Sequence, residues 1–136
     1  MSDIIEQVRN WLEVFAEGDF DAYPGGVAED FVLRLPFVPP GVPTEFRGRD
    51  FASKALAESA KGRSRLIFSN KVMRRTDDPE LVVTTADAEA VMANGNPYRN
   101  SYVIFTRIRD GVVLEHIEYL NPLAILEAAQ PPSGTE

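Results

Sequence analysis

Residues 98–122 read YRNSYVIFTRIRDGVVLEHIEYLNP, and this segment determines more of the three-dimensional arrangement than any other part of the chain. It consists of two long runs of strand-type residues that meet at Asp110-Gly111. This dipeptide is typical of the two-residue type I′ turn of a β-hairpin. Because the turn sets the pairing of the two strands, it also predicts which side chains share a face of the sheet.

The register predicted from this turn separates the hairpin into two faces. When the residues that flank the turn are paired, Glu118 lies opposite Val103, and His116 lies opposite Phe105. The first face then consists of Ser101, Val103, Phe105, His116, Glu118 and Leu120. The second face consists of Tyr98, Asn100, Tyr102, Ile104, Ile117 and Tyr119. The first face thus combines a carboxylate with the only histidine of the chain among apolar neighbours, so we expect the functional site there.

Two further strands are predicted before the hairpin, over residues 64–75 and 81–92. A three-residue loop at 94–96 would pair Glu89 with Ser101 and Asp87 with Val103, which adds both acids to the first face. The alternative is that this end of the strand opens to solvent at the mouth of the fold. The C-terminal half is therefore predicted to be an antiparallel meander.

Helices dominate the first half of the chain. Apolar residues recur at helical spacing between Asp3 and Glu17, where they form a stripe that includes Trp11. Further helices are predicted at 19–23 and from about 50 to 61, and a short strand at 31–35 precedes a Pro-rich loop at 36–43. The predicted fold class is α+β, a curved antiparallel sheet with about three N-terminal helices packed on its concave face.

Composition limits the function classes. A length of 136 residues predicts one domain, over 1–130, followed by a disordered Pro- and Gly-rich tail at 131–136. The net charge of −7 makes nucleic acid a poor partner. We expect no membrane association, because no run of about 18 apolar residues and no signal-type N-terminus is present, and we expect a cytoplasmic protein.

The second face of the hairpin is too apolar to be left in water. An uncovered apolar patch of this size usually marks an interface. We therefore expect a two-fold homodimer. The predicted interface consists of Tyr98, Tyr102, Ile104, Ile117 and Tyr119.

The segments FVLRLPFVPPG, FRGRD and NSYVIF…DGVVLEHIEYLNP resemble the SnoaL-like branch of the nuclear transport factor 2-like superfamily. This superfamily includes ketosteroid isomerases, polyketide cyclases and the phenazine-biosynthesis A/B proteins. The resemblance covers residues 4–128 and implies the cone-shaped fold, with a small apolar molecule bound inside the cone. The fold also supports epoxide hydrolases, dehydratases and non-catalytic modules, so the activity has to be argued from the site.

The resemblance to individual activities differs from residue to residue. Relative to the ketosteroid isomerases, Trp11 occupies the position of the oxyanion-hole tyrosine, Leu35 that of the proton-shuttling aspartate and Val103 that of the second oxyanion acid. None of them supplies a suitable group. Steroid isomerisation is therefore not expected. Relative to the phenazine proteins, Glu118 matches the glutamate proposed as the acid/base residue.

The resemblance to the limonene epoxide hydrolases is partial. Glu118 and Glu89 match the two active-site aspartates. However, Asp87 replaces the arginine between them, and Val32 and Arg34 replace the residues that hold the water. The pair of acids is thus present without its supporting groups, unless Arg34 supplies the positive charge.

The predicted catalytic residues are Glu118 as acid/base and His116 and Glu89 as assisting groups. The predicted substrate-binding residues are Trp11, Arg34, Asp87, Ser101, Val103, Phe105 and Leu120. We expect no metal and no other cofactor, since a chain with one histidine and no cysteine offers an almost all-carboxylate ligand set.

Two functions from different classes fit these residues. The first is an enzyme that isomerises, cyclises, dehydrates or hydrates a small apolar substrate by acid/base chemistry. The alternative is a non-catalytic ligand-binding or dimerisation module in which Glu118 only orients a ligand.

Overall fold

A computed structural model describes residues 3–131, and in this range three α-helices pack against one six-stranded sheet. The helices are α1 (Ile4–Glu17), α2 (Arg49–Ala60) and α3 (Pro122–Ala128). The strands are β1 (Val27–Arg34), β2 (Glu45–Arg47), β3 (Ile67–Arg75), β4 (Leu81–Val91), β5 (Pro97–Arg109) and β6 (Val112–Tyr119). The α+β prediction is confirmed. All but the first residue of the predicted disordered tail lies outside the described residues.

The sheet has the strand order β2-β1-β6-β5-β4-β3 and is curved without closing on itself. Strands β3 to β6 form the predicted antiparallel meander. Strand β1 is parallel to β6, so the sheet is mixed rather than purely antiparallel. The parallel pair arises because β1 enters the sheet beside the last strand of the meander, and β2 then pairs antiparallel to β1 at the edge.

The hairpin turn forms as its sequence predicts. Asp110 and Gly111 have φ angles of 52° and 80°, and a type I′ turn requires positive values at both positions. Arg109 pairs with Val112, which is the predicted first pair. The start of the hairpin is therefore correctly predicted.

The predicted register holds for the pairs Arg109–Val112 and Ile108–Val113 and fails after them. Between the pairs Ile108–Val113 and Arg107–Glu115, strand β6 contains one extra residue, Leu114. This β-bulge shifts the pairing of the rest of the strand by one position. The predicted pairing of Glu118 with Val103 and of His116 with Phe105 is therefore wrong. Glu118 pairs with Ile104, and His116 pairs with Thr106.

The bulge changes which residues of β5 and β6 share a face of the hairpin. The inner face, which packs against the helices, carries Tyr98, Asn100, Tyr102, Ile104, Thr106, His116 and Glu118. The outer face carries Ser101, Val103, Phe105, Ile117 and Tyr119. The loop before β5 is also longer than predicted, so Glu89 pairs with Arg99 and Asp87 with Ser101. That shift of two positions leaves both acids on the outer face.

The predicted dimer interface does not exist as one surface. Tyr98, Tyr102 and Ile104 are buried inside the chain, whereas Ile117 and Tyr119 lie on the outer face. The five residues share one face only in a register without the bulge in β6. Formation of a homodimer itself stays a prediction.

The hydrophobic core lies between α1 and the inner face of the sheet. The predicted apolar stripe of α1 is confirmed, since Val8, Trp11, Leu12 and Phe15 are all buried. The helix ends at Gly18, whose φ of 79° suits the left-handed cap. No helix within residues 3–131 is long and apolar enough to cross a membrane, and the cytoplasmic location stays a prediction.

Helix α3 was not predicted. Its start has a clear local cause, because the Asn121 side chain accepts a hydrogen bond from the backbone N–H of Leu123, and a proline occupies the first turn. At the other end, the side-chain amides of Asn94 and Asn96 donate to the carbonyl oxygen of Ala128. Helix α3 is thus tied to the β4–β5 turn.

Candidate active site

The inner face of the sheet forms one wall of a cavity of about 290 Å³. The Pro-rich loop between β1 and β2, helix α2 and helix α3 form most of the remaining wall, which Phe15 of α1 and the segment after α2 complete. The lining is largely apolar and includes Leu33, Leu35, Val38, Leu56 and Ile125. Its polar side chains are Ser59, Arg63, Tyr98, Tyr102 and Glu118. Such a mostly apolar cavity with a few convergent polar groups is typical of small-molecule sites.

Glu118 supplies the carboxylate of the cavity. It lies on β6 and is only 6% exposed. One oxygen, Oε1, lies 3.2 Å from Nε2 of His116. The other oxygen, Oε2, has no hydrogen-bond partner among residues 3–131. One side of the carboxylate is therefore held, and the other is available to a ligand.

His116 lies behind Glu118, where it is fully buried and stacked on the ring of Phe15 at 4.0 Å between centroids. The indole N–H of Trp11 donates to Nδ1 of His116 over 2.9 Å. Because an indole nitrogen only donates, Nδ1 must be unprotonated, and the ring proton is on Nε2. His116 therefore donates to Glu118, and Trp11 fixes the tautomer that makes this possible.

Two tyrosines form the second polar element of the cavity wall. The hydroxyl oxygens of Tyr98 and Tyr102 lie 2.6 Å apart, and the Asn100 amide donates to Tyr98 over 2.8 Å. The orientation of that amide is certain, since its oxygen accepts from the backbone N–H groups of Ser101 and Asn121.

One of the two phenolic O–H groups of this pair is available as a hydrogen-bond donor. Two hydroxyls share a single bond, so one O–H hydrogen has no acceptor among residues 3–131. Burial raises the pKa of both Tyr98 and Tyr102, and the negative charge of Glu118 raises them further. Both phenols therefore stay protonated near neutral pH. The pair offers one hydroxyl donor to a ligand.

Two of the predicted site residues line this cavity, namely Glu118 and Leu120. His116 and Trp11 lie directly behind Glu118 and are joined to it by hydrogen bonds. Trp11 was predicted to contact the substrate, but it is fully buried and does not line the cavity. It acts on the site through His116.

Several predicted residues lie together on the outer face instead. Asp87, Ser101 and Val103 line a depression of about 570 Å³ that is wide open to solvent. Asp87 accepts hydrogen bonds from Asn70 and Ser101, which lower the pKa of its carboxyl group. The depression has a larger volume than the inner cavity, but the inner cavity surrounds a ligand more closely.

The remaining predicted residues are also outside the cavity. Glu89 pairs with Arg99 at 3.0 Å on the surface. Arg34 pairs with Glu115 at 2.7 Å and with Glu45 at 3.0 Å. Phe105 packs edge-on against Tyr119 on the outer face. The structure does not bring Glu89, Arg34 or Phe105 together with Glu118.

Sequence reasoning missed Arg63, Tyr98 and Tyr102 as cavity residues. A signal for the two tyrosines was present in the alternation of β5. Arg99, Arg107 and Arg109 share a face with Val103, and three arginines on one face indicate solvent. No comparable signal marks Arg63, which reaches the cavity from the segment after α2. Among residues 3–131, no cluster of acidic and histidine side chains is arranged to hold a metal ion.

The sequence of this chain matches a known family. Residues 8–116 match the family described as the SnoaL-like domain. An uncharacterized PhzA/B-like protein of Pseudomonas aeruginosa is 30% identical over 128 residues, which cover 88% of this chain and 77% of that protein.

Solved structures share the fold. The crystal structure of a proposed isomerase from Bacillus subtilis is similar with a TM-score of 0.82 at 25% sequence identity. The match covers 94% of this chain and 95% of the isomerase chain. The crystal structure of a proposed polyketide cyclase from Xanthomonas campestris has a TM-score of 0.76 at 21% identity, with coverage of 94% and 97%. At that identity the second likeness concerns the fold alone.

Proposed function

The chain belongs to the SnoaL-like family, and on this basis we propose that it is an enzyme that performs acid/base chemistry on a small, mostly apolar molecule. Glu118 is the acid/base residue. The observation that carries the proposal is a buried carboxylate with one oxygen held by His116 and the other free at a partly enclosed, mostly apolar cavity. A mostly apolar cavity with a few convergent polar groups is the usual setting of a small-molecule site.

Each polar group has a defined role in this chemistry. Oε2 of Glu118 removes a proton from an acidic C–H or O–H group of the substrate and returns it to another atom. The N–H of His116 donates to the charged carboxylate and holds it in place. The free hydroxyl hydrogen of the Tyr98–Tyr102 pair donates to the oxygen on which negative charge develops, a contribution of about 10²–10³ in rate in other enzymes.

Isomerisation, cyclisation, dehydration and hydration all include a proton transfer of this kind. The description of the related structure at 25% identity, a proposed isomerase, supports the same group of reactions. We do not extend the proposal to steroid isomerisation. The indole N–H of Trp11, which the resemblance places at an oxyanion-binding position, is already bonded to His116.

A non-catalytic binding module is the second candidate. Glu118 is the only acid on the cavity wall among the described residues, and His116 is bonded on both ring nitrogens. If catalysis needs a second proton carrier, this site lacks one. Glu118 and the tyrosine pair would then orient a ligand without converting it.

Deuterium exchange tests the enzyme proposal without knowledge of the natural substrate. Cyclohexanone and 2-cyclohexen-1-one are incubated with the protein in D₂O, styrene oxide is tested for hydrolysis in parallel, and products are followed by NMR and mass spectrometry. The Glu118→Gln variant keeps a carbonyl acceptor for His116, so it should fold normally. We expect it to lose at least about 100-fold of the rate, as the loss of a general acid/base does.

The matched control is Glu89→Gln on the outer face, which should keep the wild-type rate. A Glu118→Gln protein as active as wild type would overturn the assignment. Tight binding of these compounds without any exchange or hydrolysis would favour the non-catalytic module.

A further inference from the structure

Arg63 carries the one positive charge on the cavity wall among residues 3–131. Its Nη1 group donates to the backbone carbonyls of Ala16 and Ser64 at 3.3 and 3.2 Å. These bonds use both hydrogens of Nη1 and hold the guanidinium between the end of α1 and the segment before β3. The side chain is therefore positioned before any ligand is bound.

Arg63 differs from the other partly buried arginines in having no carboxylate partner among the described residues. Arg34, Arg49 and Arg107 each form an ion pair. Burial lowers the pKa of Arg63, because removal from water disfavours the charge, although a guanidinium stays protonated near neutral pH. Leaving a partly buried charge unpaired costs stability, which suggests that its partner is a ligand.

The unused part of the guanidinium has the shape of a carboxylate receptor. Nε and Nη2 of Arg63 have no hydrogen-bond partner among residues 3–131, and together they form a planar edge that fits a carboxylate through two parallel bonds. Glu118 does not occupy this edge, since its hydrogen bond is with His116. The charges of Arg63 and Glu118 nevertheless interact across the cavity.

We propose that Arg63 binds the carboxylate of a small, mostly apolar organic acid, and that such acids are the ligand class of the cavity. The inference deepens the proposed function and rests on the presence of a small-molecule site. The free hydroxyl hydrogen of the Tyr98–Tyr102 pair serves as a further donor to the polar end of the ligand. The apolar body of the acid packs against the aliphatic lining, for example Leu33 and Leu56.

The charge balance of the site agrees with this ligand class. The chain has a net charge of −7, which repels anions at a distance, so a fixed local cation is needed to hold one. A ligand carboxylate bound by Arg63 neutralises the guanidinium. It leaves Oε2 of Glu118 free for proton transfer at a different atom of the same ligand.

Binding of unreactive acids tests the inference separately from turnover. The probes are benzoate, phenylacetate, 3-phenylpropanoate and hexanoate, each compared with its primary amide, which has the same shape and no charge. Dissociation constants are measured by calorimetry near neutral pH in about 0.15 M salt, where exposed charges are screened. We expect at least one acid to bind about 10- to 100-fold more tightly than its amide, the effect of hydrogen bonds to a charged group.

The Arg63→Gln variant should lose this preference for the acid. The matched control is Arg65→Gln, because Arg65 pairs with Glu13 and Glu17 on the surface and does not line the cavity. If Arg63→Gln fails to fold, the comparison of acid and amide in the wild-type protein still decides the question.

The possible failures are distinguishable. Equal binding of each acid and its amide to the wild-type protein would overturn the inference and leave the small-molecule site intact. An acid preference that survives in Arg63→Gln would also overturn it, because the charge recognised would then lie elsewhere. No binding of any probe would contradict both this inference and the small-molecule site itself.

Discussion

The inner and outer faces of the sheet carry similar residue types in different surroundings. On the outer face, Glu89 pairs with Arg99 in water, and Asp87 is held by neutral hydrogen-bond donors. On the inner face, Glu118 is buried, has His116 as its single partner within residues 3–131, and faces an apolar cavity. The surroundings of a carboxylate, and not its presence in a strand, therefore make it a candidate acid/base.

The largest difference between the faces should appear in stability. Trp11, on helix α1, is fully buried against the inner face of the sheet. It packs against four aromatic side chains and His116. Trp11→Ala should lower the free energy of unfolding by about 3–5 kcal/mol, the usual cost of a large core truncation. Phe37, which is 58% exposed beside the outer face, is the matched control, and Phe37→Ala should cost less than about 1 kcal/mol. Urea unfolding measures the free energy of unfolding of both variants. Equal losses in the two variants would contradict the distinction between the inner and outer faces.

A smaller effect is expected at alkaline pH. Burial raises the pKa of Tyr98 on the inner face above the ordinary value of 10.0, so the folded state keeps its phenol protonated where the unfolded chain ionises. This contribution to stability is fully present below about pH 10 and is lost as the pH rises further. Tyr98→Phe should therefore make the alkaline fall in unfolding free energy shallower by about 1.4 kcal/mol per pH unit. Urea unfolding at several pH values above 9 measures the slope, with Tyr119→Phe on the outer face as control, and an unchanged slope in Tyr98→Phe would contradict burial of this phenol.

The smallest effect concerns Asp87 on the outer face. Hydrogen bonds from Asn70 and Ser101 lower the pKa of its carboxyl below the ordinary value of 3.8. The resulting stabilisation is present above that value and is lost as the pH falls through the lowered pKa. Because the group is exposed, Asp87→Asn should change unfolding only slightly at neutral pH. Wild type and variant should converge in acid, and a large loss at neutral pH would show that Asp87 is part of a buried site.

The fold was largely predictable because its signals are local. The Asp110-Gly111 turn has the backbone angles that its residues favour, and the apolar stripe of α1 is buried as its spacing indicates. Helix α3 also had a signal, an asparagine followed by proline, that was overlooked. The parallel pairing of β1 with β6 joins segments that are far apart in the chain, and no local sequence pattern predicts it.

The site was less predictable because a single bulge residue changes which side chains lie beside Glu118. Leu114 forms the bulge within a run of three apolar residues, Val112, Val113 and Leu114, where no alternation fixes the register. Glu118 is in the cavity, but its neighbours are the tyrosines and not Val103. Arg63 comes from a connecting segment, and the folded chain alone brings it to the cavity.

The hydrogen-bonded set Trp11–His116–Glu118 can be tested directly by nitrogen-15 NMR of the imidazole ring. The chain contains a single histidine, so its two ring nitrogens give one unambiguous set of signals. At about pH 8, where an ordinary imidazole is neutral, the structure predicts a proton on Nε2 and a hydrogen-bond acceptor at Nδ1. The Trp11→Phe variant, which lacks the indole donor, is the control in which this preference should weaken. A proton on Nδ1 in the wild-type protein would contradict the bond from Trp11 and, with it, the role of His116 in holding the Glu118 carboxylate at the cavity.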